Sequence, residues 1–213
     1  MEHMSDIHKM QHLARCQENG GGKTDMHGDL KLAGRQMLLA GGIPKERIPD
    51  KEKAGIIPNT LYFPADFTSL KHDKLPGRPP KDLHFDTTCS STGCSSNRDA
   101  ARIPGGVAAK AEQHKLDVYW KRLREAGIDL ASAPRLVPMA VESGGRMGEH
   151  LLAFLGEFAR FSQKKSLRRC WIQKISALVH LKFADYILTA CAIAESSSIK
   201  FSHQSSSITP LGV

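Results

Sequence analysis

The chain has 213 residues, 40% of them hydrophobic and 24% charged, with a formal net charge of +8. That length suits one ordinary domain with its own core, and the composition excludes a wholly disordered chain. No apolar run approaches the roughly 18 residues of a membrane span, so no membrane partner is expected, while the excess of Lys and Arg favours a polyanionic partner or substrate.

Residues 1–26 are polar, rich in His and Met, and closed by NGGGKTD, which reads as a flexible lead-in. The start, MEHMSDIHKMQHLARC, lacks the apolar core of a signal peptide. The five cysteines (Cys16, Cys89, Cys94, Cys170, Cys191) are scattered, so reduced thiols in a nuclear or cytoplasmic protein, not a secreted one, are expected. His8, His12 and Cys16, with His27 beyond them, offer helical spacing for a weak zinc site. The usual C-x2-C pair is missing, so an N-terminal helix with scattered histidines is the simpler reading, and Zn²⁺ is not expected. GGGK at 20–23 lacks the full spacing of a phosphate loop, and no small-molecule cofactor is expected.

Over 27–40, Leu30, Ala33, Met37 and Leu38 recur at helical spacing, and Gly41-Gly42 supplies the stop. Residues 43–60 carry three prolines and many charges, which predicts a loop. Two strand candidates follow, 61–67 and 83–88, separated by a loop rich in Lys, Pro and Gly. A small-residue connection at 89–106 leads into a helix at 107–126 closed by Gly127, then a third strand candidate at 135–141. SGGR turns the chain into a helix at 149–160, where Leu151, Phe154, Leu155 and Phe158 make one stripe. The basic segment 164–195 sets Trp171, Ile175, Leu178 and Val179 on one face, and the serine-rich tail 196–213 reads as disordered. The order α-β-β-α-β-α-α predicts a mixed α/β domain over 27–195.

Asp66 and Asp86 stand at the edges of the first two strand candidates. Two carboxylates in one cleft repel each other, and a fold keeps such a pair mainly where a cation neutralises them. A hard divalent ion, Mg²⁺ or Mn²⁺, suits oxygen ligands. Taken singly, Asp66 could cap a turn and Asp86 could end a strand by bonding the backbone of TTC. In AAKAEQHKLDVYW, Ala108, Ala111, Lys115 and Tyr119 share a helical stripe that should pack on the strands. Lys115 there needs a carboxylate partner, or else snorkels from the edge of the face.

The segments MHGDL (His27), FPADF (Asp66), FDTTC (Asp86), AEQHKLDVY (Lys115, Tyr119), VPMAVESGGRMG, LAFLGEFA and RRCWIQKISALVH follow one another over roughly 12–193. In that order they resemble the restriction-endonuclease-like domain, of PD-(D/E)xK type, found downstream of reverse transcriptase in retrotransposon-encoded proteins. The resemblance implies an α/β, restriction-endonuclease-like core, a small mixed sheet flanked by helices. It implies Asp66 and Asp86 as ligands of Mg²⁺ or Mn²⁺, Lys115 as the catalytic lysine, and nicking of DNA by phosphodiester hydrolysis. Glu142 matches the family's carboxylate after the third strand, and is implied as a catalytic-site residue, either a further metal ligand or a group behind the ligands. It could equally cap the SGGR turn.

Arg146 suits a phosphate contact near a helix start or a surface ion pair. Lys164, Lys165, Arg168 and Arg169 are the expected contacts to DNA backbone, or the solvated side of an amphipathic helix. Phe63 departs from the family's R-P-A-D, Thr88 stands where the wider superfamily has a strand lysine, and no Y-x-D-D polymerase motif occurs. These departures leave a catalytically inactive DNA-binding remnant of a mobile-element protein as the alternative.

Overall fold

The structure, a computed structural model, describes residues 22–49, 65–73, 81–92 and 95–205. Their regular elements are α1 (Gly22–Ala40), β1 (Phe67–Asp73), β2 (Lys81–Ser90), α2 (Gly106–Glu125), β3 (Arg135–Glu142), α3 (Glu149–Phe161) and α4 (Leu167–Ser205). This is the mixed α/β arrangement expected from sequence, built on a small sheet of order β1-β2-β3. β1 and β2 pair antiparallel, whereas β2 and β3 pair parallel with α2 as their connection. Among the described residues, no helix is long and apolar enough to cross a membrane.

Some boundaries differ from the sequence reading. α1 opens at Gly22, inside the segment read as a lead-in. β1 opens only at Phe67, with Asp66 immediately ahead of it. Residues 61–64, including Phe63, the loop at 74–80, Cys94, and the histidines and cysteine before α1 lie outside the described residues. α4 runs on to Ser205, into the tail expected to be disordered, and 206–213 again lie outside. Between Leu167 and Ser205 the chain holds neither Gly nor Pro to interrupt a helix.

Alternation along the strands divides the interior into two cores. One face carries Phe67, Leu83, Phe85, Val137, Met139 and Val141, covered by buried residues of α1, α3 and α4. Phe67 stacks on Phe85 at 4.7 Å between ring centroids, and Phe154 meets Phe85 edge-on at 5.2 Å. Gly34 lets α1 lie this close, since a Cβ there would come within 2.5 Å of the Phe67 ring. The opposite face presents Leu136 to Leu116, Tyr119 and Leu123 of α2. The Tyr119 hydroxyl donates to the Pro134 carbonyl at 3.0 Å, which satisfies its polar end inside that cluster.

The predicted helix stop holds in detail. Gly42 takes φ +93°, its N–H bonds the Leu39 carbonyl, and the Ile43 N–H reaches back to Leu38. That pattern is a Schellman closure, sealed by the contact side chains Leu38 and Ile43, both buried.

Candidate functional site

The β1–β2 register pairs Phe67 with Phe85, which brings Asp66, one residue ahead of β1, to the end of β2 that carries Asp86. The Asp66 N–H donates to the Phe85 carbonyl at 2.8 Å, a bond offset by one residue from the regular ladder. By alternation Asp86 faces α2, where Lys115 Nζ donates to Asp86 Oδ1 at 2.5 Å. Both side chains are about one-fifth exposed (22% and 23%), so Lys115 does not snorkel into open solvent but ends on its carboxylate. Burial pushes the Asp86 carboxyl above the ordinary carboxylate range. The Lys115 charge and hydrogen bond pull it down, the Asp66 charge raises it, and the His27 ring lowers it. Asp86 therefore feels Asp66, Lys115 and His27 at once, and of the predicted catalytic residues Asp66, Asp86 and Lys115 share this end of the strands.

Asp66 is held by different means. Its Oδ2 accepts both the backbone N–H and the hydroxyl of Thr87, each at 2.6 Å. Its Oδ1 accepts His27 Nε2–H at 3.0 Å, with Lys31 Nζ at 4.0 Å. His27 and Lys31 lie one turn apart on α1, which directs both toward the same strand end. The His27 Nδ1 sits 3.2 Å from the Thr87 hydroxyl oxygen. His27 is thus engaged with Asp66 and Thr87, and its suggested partners in a zinc site, His8, His12 and Cys16, lie outside the described residues. Thr87 and Lys31 are site neighbours that sequence reasoning missed. The signals were faint: a Thr directly after Asp86, and a basic residue four positions after His27.

Glu142 belongs elsewhere. The parallel register sets it opposite Ser90, four residues along β2 from Asp86 and hence about 13 Å away. Its Oε1 accepts the N–H groups of Val107 (3.0 Å) and Ala108 (3.4 Å) in the first turn of α2. Glu142 caps α2 rather than joining the aspartates, and it does not cap the SGGR turn either. That turn closes through backbone, with Glu142 N–H on the Arg146 carbonyl and Gly145 N–H on the Glu142 carbonyl.

A second buried acid, Glu112, went unnoticed in the sequence. Its two oxygens accept His150 N–H (2.9 Å) and Leu151 N–H (3.0 Å) at the start of α3. Burial pushes its carboxyl up, while those two backbone N–H groups pull it back. Gly148 makes room, because a Cβ there would meet the Glu112 carboxyl carbon at 2.1 Å.

The residues expected to contact DNA lie on other segments than the aspartates. Arg146 is exposed. Lys164 Nζ donates to the Ala40 carbonyl at 2.5 Å, so its charge sits at the C-terminus of α1. His27 and Ala40 are 13 positions apart on that helix, or about 20 Å. Lys165, Arg168 and Arg169 are exposed beside Lys164, at the start of α4.

The donor set at the strand ends is two carboxylates, hard oxygen ligands that fit Mg²⁺ or Mn²⁺, ions that keep several waters of their own. Among the described residues, no group of three or more His, Cys, Asp and Glu side chains gathers in a metal-holding arrangement. No protein-family model matches the chain, and neither the curated proteins nor the solved structures compared with it give a match.

Proposed function

We propose that this chain is a metal-dependent DNA endonuclease-like domain of restriction-endonuclease type, derived from a retrotransposon, that nicks DNA by phosphodiester hydrolysis. The observation that carries this reading is the contact of Lys115 with Asp86, whose carboxyl also feels the charge of Asp66. Asp66 and Asp86 would hold Mg²⁺ or Mn²⁺, which when bound supplies a Lewis acid at the phosphate and a more acidic water. Asp86, desolvated and repelled by Asp66, gains most from a cation beside it. Lys115 would orient the attacking water and offset charge on the phosphate, a role its amine can take because it already ends at Asp86.

The basic cluster of Lys164, Lys165, Arg168 and Arg169, with Arg146, would bind DNA backbone. Lys164, on the Ala40 carbonyl, stands about 20 Å along α1 from His27, which corresponds to about six base pairs of duplex. The chain's net charge of +8 supports a polyanionic partner, and nuclear or cytoplasmic residence follows from that partner.

The test is nicking of supercoiled plasmid in Mg²⁺ by the wild-type chain and by Asp86→Ala. Cleavage by the wild type that falls at least about 100-fold in the variant is the expected result. Cleavage indifferent to the substitution overturns the assignment. A second reading, a catalytically inactive DNA-binding remnant, is favoured by one observation: Lys115 alone already balances the Asp86 charge. Salt-sensitive gel shifts without nicking would select it.

A further inference from the structure

We infer that His27 and Thr87 are positioning residues that brace Asp66 as a one-lone-pair metal ligand; this rests on the metal-site reading above. An ionised carboxylate offers about four lone-pair sites. Thr87 fills both sites on Oδ2, with its backbone N–H and its hydroxyl at 2.6 Å each. The hydroxyl has one hydrogen, and a carboxylate can only accept, so that hydrogen is committed to Asp66. His27 Nε2–H takes one site on Oδ1 at 3.0 Å. Lys31, at 4.0 Å, contributes charge but lies beyond hydrogen-bond reach.

Three bonds to two oxygens fix both the rotamer and the plane of the carboxylate, and a single acceptor site is left on Oδ1. Because the Thr87 backbone sits in β2 next to Asp86, the same strand that carries one carboxylate orients the other. His27 adds the second anchor from α1, through Nε2–H on Oδ1. Carboxylate ligands held by such outer hydrogen bonds lose 10–100-fold in metal affinity when the outer partner is removed. His27 therefore acts through Asp66 and not on the substrate.

The measurement is Mn²⁺ affinity of the full chain without DNA, read from the spin-resonance signal of unbound Mn²⁺, alongside the unfolding midpoint without metal. Wild type should bind, Asp86→Asn should lose binding, and His27→Ala should bind roughly 10–100-fold more weakly with its metal-free midpoint nearly unchanged. His27→Gln should recover most of the affinity, since its amide N–H can donate to Oδ1 in place of the ring. Thr87→Val, which keeps the backbone donor and removes the hydroxyl, gives the same reading if His27→Ala does not fold.

If Mn²⁺ binds, and binding depends on Asp86, yet His27→Ala binds as well as wild type or tighter, the brace is wrong while the site stands. Tighter binding would mean that the ring blocks the ligand. If wild type binds no Mn²⁺, or Asp86→Asn binds like wild type, the metal site itself falls and the brace with it.

Discussion

Asp66, Asp86, Glu112 and Glu142 fall into two regions that treat negative charge differently. Around α2, Glu142 and Glu112 are buried and held by backbone N–H groups in the first turns of α2 and α3. At the strand ends, Asp86 is held by the Lys115 side chain, and Asp66 by the Thr87 backbone and the side chains of Thr87 and His27. A helix's first-turn amides cannot turn away without unwinding the helix, and the helix dipole favours an anion there. Lysine and histidine side chains can rotate aside for a few tenths to a couple of kcal/mol of rotamer freedom. The glutamates are therefore permanent parts of the framework, linking β3 to α2 and α2 to α3. Asp86, by contrast, is neutralised by a side-chain amine alone, and Asp66 stands between the two cases, with one strand amide and two side chains on it.

The contrast can be broken at its rigid end first. Glu112→Ala should cost about 3 kcal/mol in denaturant unfolding, because the buried amides of His150 and Leu151 lose their acceptor. A cost under about 1 kcal/mol would mean that Glu112 is not part of the framework. At the other region, Asp86→Asn should reduce nicking about 100-fold, equivalent to about 2.7 kcal/mol of barrier, while costing less metal-free stability than Glu112→Ala, because the Lys115 amine is partly exposed and can turn to water. A large loss of stability with that substitution would erase the distinction between the two regions.

A smaller effect is expected where the framework is tightest. Gly148→Ala drives a methyl into the Glu112 carboxylate and should destabilise by about 2 kcal/mol, measured by the same unfolding curve. The backbone there has an ordinary φ of −70°, so the cost comes from crowding and not from strain. Combined with Glu112→Ala, most of that penalty should vanish.

The smallest effect is a trend with pH. Burial holds the Glu112 carboxyl above its ordinary value of 4.5 in the fold. A raised folded-state value means that the folded chain binds the proton more tightly than the unfolded one. Stability from that proton is complete below 4.5 and is lost as pH rises through the folded value. Glu112→Gln cannot titrate, so its stability relative to wild type should improve as pH rises past that window. Parallel pH curves for the two proteins would show that burial does not dominate at Glu112.

Elements were legible in the chain wherever the pattern was local. The Leu151, Phe154, Leu155 and Phe158 stripe became α3, and Gly41-Gly42 ended α1, because helix periodicity and a left-handed stop are properties of neighbouring residues. Lys115 was half legible, since a lysine among alanines on a packing stripe either finds a carboxylate or snorkels, and only the fold chose between them. Glu142 was misjudged as an acid at the catalytic end. A resemblance in sequence order says which strand carries a residue, but not how far along that strand it sits from its neighbours. The register of β2 against β3 fixed that distance.

The sequence by itself therefore determined the mixed α/β order of elements, the stop of α1, and the residue types from which a cation site could be made. Tertiary structure alone decided which acids share a site and which cap helices. Both outcomes depend on contacts between residues 21 to 60 positions apart, such as Asp66 with Thr87 and His27 with Thr87. A carboxylate in a sequence carries no mark of whether backbone amides or side chains will meet it. Only chain packing brings those donors within 3 Å, and at that range the difference between a fixed and an exchangeable partner is settled.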